Sequence, residues 1–300
     1  MTVNDKNTAI LDKVKFQMAK FLKLKGYGIS ILVPFHSSDP NNQRAKNWKW
    51  LCEYWKKQLP GAEIIVGVDS IAGNGIPFSK SCAVNDAARR ATGDIFVIVD
   101  ADGYISIESV LHCATEIRAA RRKNKKLWFI PYRKFYRLTE AASQKVLQSN
   151  PEKPYCFGLT PAERDVLNIS DFNGTSGCAI GHWYGALIQI MSSDAFNTVG
   201  GWDPRFRGWG GEDHAAMRAM DTLYWPHKTL PKPVYHIWHP FLNVQSSNPT
   251  RNKNRLWENQ NANITNDSLS HRYYWSQGNI ERMQKLIDEW KRLNETKTNV

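Results

Sequence analysis

The sequence predicts an α/β protein whose mostly parallel central sheet is flanked by helices. Three observations carry this. Buried-strand patterns alternate with amphipathic helical patterns through the first 132 residues. The strand patterns are continuous apolar runs rather than alternating ones, as in strands covered on both faces. Each run also ends in polar or acidic residues, so the polar ends collect at one edge of the sheet, where ligands bind in open α/β folds. The central run is Phe96-Val97-Ile98-Val99, which leads directly into Asp100-Ala101-Asp102. Two carboxylates this close repel each other unless a cation lies between them. A hard divalent ion that also holds substrate phosphates is the simplest candidate. A plain Asp-Gly turn is the alternative.

Taken in order, residues 8–25 form a basic amphipathic stripe through Leu11, Val14, Met18, Phe21 and Leu22. This fits a helix packed on the domain surface or one that docks on a membrane or partner. Residues 28–35 are the first strand and end in the polar loop 37–42. Residues 43–58 are helical, with Trp48, Leu51, Tyr54 and Trp55 in register. Residues 63–69 are a second strand ending in Asp69. A Gly-containing loop at 72–75 precedes a helix from Lys80 to Thr92 with small residues along one side. The central strand spans 95–100, a helix 107–122 and a fourth strand 127–131.

Residues 133–172 read as a polar, irregular excursion with a helical part at 140–147. Residues 186–191 then read as a strand, and 193–199 as a short helix capped by Ser192 or Ser193. Glu212 and Asp213 open a helix reaching about Met220, and residues 234–240 are a late strand carrying His236 and His239. The Asn-rich, basic stretch 248–266 reads as loop, and 280–293 as a final amphipathic helix. The expected organisation is residues 1–25 as an N-terminal helix, 26–256 as the catalytic domain (26–132 binding nucleotide, 133–256 binding acceptor) and 257–300 as a helical tail.

The 300 residues carry a net charge of +12, which points to an anionic partner. No apolar run reaches the ~20 residues of a membrane span, and no signal-peptide core is present. The five cysteines include no CxxC pair, which disfavours zinc ribbons and redox motifs and fits reduced thiols in a cytosol. There is no GxGxxG after the first strand and no P-loop, so dinucleotide oxidoreductases and P-loop NTPases are disfavoured. Twelve tryptophans offer flat faces for sugars or for the core.

Together these residues resemble the GT-A glycosyltransferases. Asp100-Ala101-Asp102 is similar to their DxD motif at the end of the central strand. Gly208-Trp209-Gly210-Gly211-Glu212-Asp213, approached through Val199-Gly200-Gly201-Trp202-Asp203, is similar to the WGGED segment of the β-1,4-galactosyltransferase and polypeptide N-acetylgalactosaminyltransferase groups. The resemblance covers about residues 28–256. It implies a GT-A fold and transfer of a hexose or N-acetylhexosamine from a UDP-sugar to a protein or glycan acceptor.

The resemblance also implies Mn²⁺ or Mg²⁺ held by Asp102, with Asp100 closer to the ribose and metal. A histidine completes the metal shell. Both His236 and His239 qualify; His239 is preferred for its spacing to Asn248-Pro249-Thr250-Arg251, and His236 fits either a second ligand or a packed strand histidine. Asp213 would be the general base of an inverting reaction, with Glu212 orienting the acceptor. Pro34, Phe35, Ser37, Asp69, Asp100, Ala101, Trp209, Gly210 and Gly211 would line the donor site, and Trp183 to Gly185 would bear on donor choice.

The chain departs from the resemblance in several ways. His214 follows Asp213 where galactosyltransferases carry further acids. The triplet ends in Asp rather than His, and no lectin module or membrane anchor is evident. These departures suggest a bacterial or phage-type member in the cytosol, the host's in the phage case. Alternatives are a retaining polypeptide O-glycosyltransferase and a transferase acting on modified DNA bases, the latter prompted by Arg251, Lys253 and Arg255. A non-catalytic sugar-binding module and a nucleotidylyltransferase are further ones.

Overall fold

The computed structural model describes residues 26–37, 39–73, 76–155, 157, 172–176 (backbone only), 187–208, 210–240 and 265–298, the last with side chains to 292. The expected N-terminal helix, Trp209, the 183–185 segment and the basic residues at 251–255 lie outside these residues.

In chain order the elements are β1 (Ile29–Pro34), α1 (Gln43–Gln58), β2 (Glu63–Gly67), α2 (Lys80–Arg90), β3 (Ile95–Val99), β4 (Gly103–Tyr104) and α3 (Ile107–Arg122). Next come β5 (Phe129–Ile130), β6 (Lys134–Leu138), α4 (Glu140–Leu147), β7 (Phe172–Ser176), β8 (Ile188–Ser192) and α5 (Ser193–Thr198). The chain continues through α6 (Glu212–Leu223), β9 (Lys228–Thr229), β10 (Pro233–His236), α7 (Asn266–Ser276) and α8 (Ile280–Thr298).

The strands form two sheets. The larger has the order β2-β1-β3-β8-β5-β9 and the smaller β4-β10-β6-β7. In the larger sheet β1 runs parallel to both β2 and β3, and β5 parallel to β9. The antiparallel β8 separates β3 from β5, so the fourth predicted strand is not the neighbour of the third. The expected class, α/β with a mostly parallel sheet and flanking helices, is the one observed. Every residue of β1 and β3 is buried, which explains their uninterrupted apolar runs.

Side-chain caps set the helix starts. Asn42 accepts from the Ala45 amide, Ser79 from Cys82, Ser106 from Ser109 and Ser192 from Ala195. The small face of α2 also has a cause: a Cβ on Gly67 of β2 would stand 1.9 Å from the Ala83 carbonyl oxygen. Helix and strand approach closely only because both residues are small.

Three elements depart from expectation. Lys134–Leu138, expected to be irregular, is the strand β6. It pairs parallel with β10 and antiparallel with β7. The late strand is shorter than 234–240 and stops at His236, because the chain turns there to bring His239 inward. Residues 266–276 form a helix with a capping box at Thr265. With α8 it packs on α6 in a second core of Phe206, Ala215, Ala219, Leu269, Tyr273 and Leu286, among others. No described helix is long and apolar enough to cross a membrane.

Candidate active site

The site forms at the carboxyl end of β3. Past Val99 the chain turns through Asp100, buried Ala101 and buried Asp102 into β4. β4 pairs antiparallel with β10 and sets Gly103 opposite His236. The Ile237 amide donates to the Asp102 carbonyl oxygen at 2.9 Å. Beyond it, the Trp238 amide donates to Ser143 Oγ (2.7 Å) and the Trp238 carbonyl accepts from Asn47 Nδ2 (3.0 Å). Ser143 and Asn47 are both fully buried, so helices α4 and α1 clamp the turn that carries His239.

The result is a group of three side chains, Asp102, His236 and His239, whose ligand atoms lie within 4.8 Å of one another. His239 Nε2 is 3.3 Å from Asp102 Oδ2, and His236 Nε2 is 3.9 Å from Asp102 Oδ1. Two observations show that this group suits a metal ion. Asp102 Oδ1 is buried and has no hydrogen-bond partner, a costly state for a carboxylate oxygen. His239 Nδ1 is 3.0 Å from the Pro240 carbonyl oxygen, which can only accept, so Nδ1 carries the proton there. A carbonyl in that role is the usual outer partner of a metal-bound imidazole.

The electrostatics favour the same protonation states. Burial acts to raise the Asp102 carboxyl, but His236, His239 and Arg44 outweigh it and hold it well below the ordinary carboxylate range. Burial pushes His236 below its usual value, toward the neutral form that binds metals. His236 also stacks on Phe135 of β6 at 6.1 Å.

Asp100 points elsewhere. Its Oδ1 is 2.6 Å from Lys80 Nζ, the same ammonium that sits 2.6 Å from Asp213 Oδ1. Lys80 opens α2 and is largely buried, with 13% of its side chain exposed. Burial alone would lower its pKa; the facing carboxylates Asp100, Asp213 and Glu212 raise it instead. Three acids share one cation. Burial raises Asp213 to about 8, with Glu212 and Asp100 adding to the rise against Lys80. Burial raises Glu212 too. His214 is pushed down to about 4 by burial, then by Arg218 and Lys80.

The loop before α6 is built on glycine. Gly208, Gly210 and Gly211 have φ of 73°, 107° and 96°. The Gly210 amide donates to Glu212 Oε2 at 3.0 Å, so Glu212 braces its own loop. The remaining expected donor-site residues are partly committed. Asp69 accepts from Arg207 Nη1 and from the Ser79 amide, both at 2.8 Å, and is buried. Ser37 Oγ donates to the Asp39 carbonyl and accepts from Asn42. Pro34 is buried at the end of β1, and Phe35 packs at 6.2 Å from Trp48.

The structure thus brings Asp102, His236 and His239 together and sets Asp213 and Glu212 beside Asp100 through Lys80. Lys80, Arg44, Asn47 and Ser143 escape sequence reasoning. A lysine opening a helix reads as surface, and its partners lie 20 and 133 residues away in sequence.

Residues 181–222, which include β8, α5 and nearly all of α6, match the family model described as the N-terminal domain of galactosyltransferase. That is the class implied by the motif resemblance. A search of curated proteins returns no match. Solved structures with similarity include the catalytic domain of Drosophila β1,4-galactosyltransferase 7 in complex with xylobiose (13% identity, 80% of this chain and 82% of that one, TM-score 0.34). Others are GalNAc-T7 with UDP, GalNAc and Mn²⁺ (14% identity, 88% and 55% of the two chains, TM-score 0.40) and S. aureus TarS (14% identity, 70% and 36%, TM-score 0.36).

Proposed function

We propose that the protein is a metal-dependent glycosyltransferase that moves a hexose or N-acetylhexosamine from a UDP-sugar to a hydroxyl acceptor with inversion, in a reducing cytosol. The observation that carries this is the Asp102–His236–His239 group, with its orphaned carboxylate oxygen, at the end of the central strand. These three residues would hold Mn²⁺ or Mg²⁺. Bound there, the ion would neutralise charge on the diphosphate leaving group.

The chain's own residues supply the rest. Asp213, ionised, takes the proton of the attacking acceptor hydroxyl at Oδ. Lys80 fixes that carboxylate's orientation and spaces it from Asp100. Glu212 and the glycines hold the loop so that backbone can approach sugar rings closely. Trp209, in the same motif, offers a stacking face. Arg207 and Ser79 hold Asp69 in place just past β2, where it would line the donor pocket.

The test is calorimetric titration of Mn²⁺ and then a panel of nucleotide-sugars. Wild-type protein should bind one UDP-sugar only with Mn²⁺ present. Asp102→Asn should lose about 100-fold or more in Mn²⁺ affinity, and transfer with it. Equal Mn²⁺ binding and turnover by the two proteins would refute the assignment.

A further inference from the structure

Away from the reacting groups, β5 pairs with β9 in the larger sheet and β6 with β10 in the smaller, two parallel pairs in one register that make a ribbon interrupted at 131–133 and 230–232. The register runs from Phe129↔Lys228 through Lys134↔Pro233 to Arg137↔His236. Between the strand pairs the ribbon is held by the Arg133 amide on the Lys232 carbonyl (3.0 Å) and by Arg133 Nε on Thr229 Oγ1 (2.9 Å). It begins at the open edge of the larger sheet and ends at the proposed metal group in the smaller one.

Its charge is one-sided. Residues 124–138 and 224–239 contain no Asp or Glu. Lys126, Lys228, Lys232, Arg133 and Lys134 are all exposed, and among the described residues none has an acidic partner. Lys125 is exposed as well, and Arg137 lies over the Phe135 ring at 5.9 Å, a ring that stacks on His236. These cations are distributed along the stretch from Lys228 to His236, at most about 26 Å when extended. Trp225, 55% exposed, stands at its start next to Tyr224, over whose ring Lys126 lies at 5.4 Å.

We infer that this ribbon is the acceptor track, and that the acceptor is a polymer with a phosphodiester backbone. The inference rests on the glycosyltransferase reading and names the acceptor class for that site. Lys126, Lys228, Lys232, Arg133 and Lys134, without acidic partners among the described residues, match spaced phosphates, and Arg suits them with its planar fork. The row follows a ribbon that crosses from one sheet to another and terminates at the reacting groups. A flexible chain can follow such a line, whereas a flat bilayer touches a plane. The exposed Trp225 provides the stacking face found where single-stranded chains bind.

The test measures binding of inorganic polyphosphate and of single-stranded oligothymidylate across a salt series, for wild type and the triple variant K126E/K228E/K232E. The triple variant should bind about 100-fold more weakly at low salt, and its slope of log affinity against log salt should be shallower by about 2, at ~0.7 per phosphate lost. Retained Mn²⁺ affinity and an unchanged unfolding midpoint check that the variant is folded. Binding of both polymers assigns the track to backbone phosphate alone. Binding of oligothymidylate only assigns it to nucleic acid. Unchanged binding in the triple variant overturns the track. So does wild-type binding to phosphatidylglycerol vesicles with none to either polymer. If polymers bind but no UDP-sugar is turned over with Mn²⁺, the enzyme reading falls and a polyanion surface stands. If donor is turned over and no polymer binds, the track alone falls.

Discussion

One ammonium, Lys80, faces three carboxylates, and that imbalance would govern Asp213 in its proposed role as base. A base accepts a proton only when ionised, and burial holds Asp213 up to about 8. kcat/KM is therefore expected to rise with pH through about 8 and then level. Asp213→Asn should lower kcat by ~10²–10⁴ and abolish that limb, yet leave Mn²⁺ affinity nearly unchanged because Asp213 is not one of the three grouped residues. Lys80→Met removes the charge that opposes the rise, so the limb should move to higher pH. A pH–rate profile of the three proteins reads all of this. A limb that stays in place in Lys80→Met would mean that the ammonium does not control the base.

At the scale of elements, the start of α6 is the most constrained point. Gly211 caps it with a left-handed backbone and no side-chain cap, and a Cβ there would stand 2.0 Å from Ser270 Oγ of α7. Gly211→Ala should cost ~1–2 kcal/mol for the backbone alone and more for the clash. Gly73→Ala, at a similar φ of 111° but in open space, should cost only the backbone share. Urea unfolding compares the two. The two glycines of Gly210-Gly211 were legible in the sequence as a motif; the Ser270 side chain that crowds Gly211 was not, because it comes from α7. The continuous strands β1 and β3 were legible for a simple reason: burial on both faces leaves no polar interruption. β6 was not, since Lys134 and Arg137 break its apolar pattern at exposed and half-exposed positions. α7 falls inside the expected helical tail, but its bounds were not legible because few of its side chains, Leu269 and Tyr273 among them, face the core. Asp102, His236 and His239 could be picked out by motif and residue type. Asn47 and Ser143, which aim His239 by hydrogen-bonding a backbone, follow no pattern along the chain.

Across the whole molecule, the C-terminal helices are tied to the glycine loop through buried charge. Arg205, 5% exposed, binds Asp203 at 2.7 Å and Glu289 of α8 at 3.0 Å. Tyr273 of α7 donates to the same Asp203 at 3.0 Å, and Arg272 holds Glu289 at 2.6 Å. Arg205→Met would strand the Asp203 carboxylate in the core, and ~3–5 kcal/mol of stability should be lost in guanidinium unfolding. Asn266, the first residue of α7, bonds both the amide and the carbonyl of Arg207, so helix and loop move together. The ion pairs that assemble the site span the chain: Lys80 and Asp213 are 133 positions apart, and Asp69 and Arg207 are 138. Closing such long loops is costly before their contacts repay it. The site is therefore held by contacts between distant parts of the chain rather than by local structure. A substitution at Arg207 therefore reaches the site through Asp69 and Asn266 without touching a proposed reacting group.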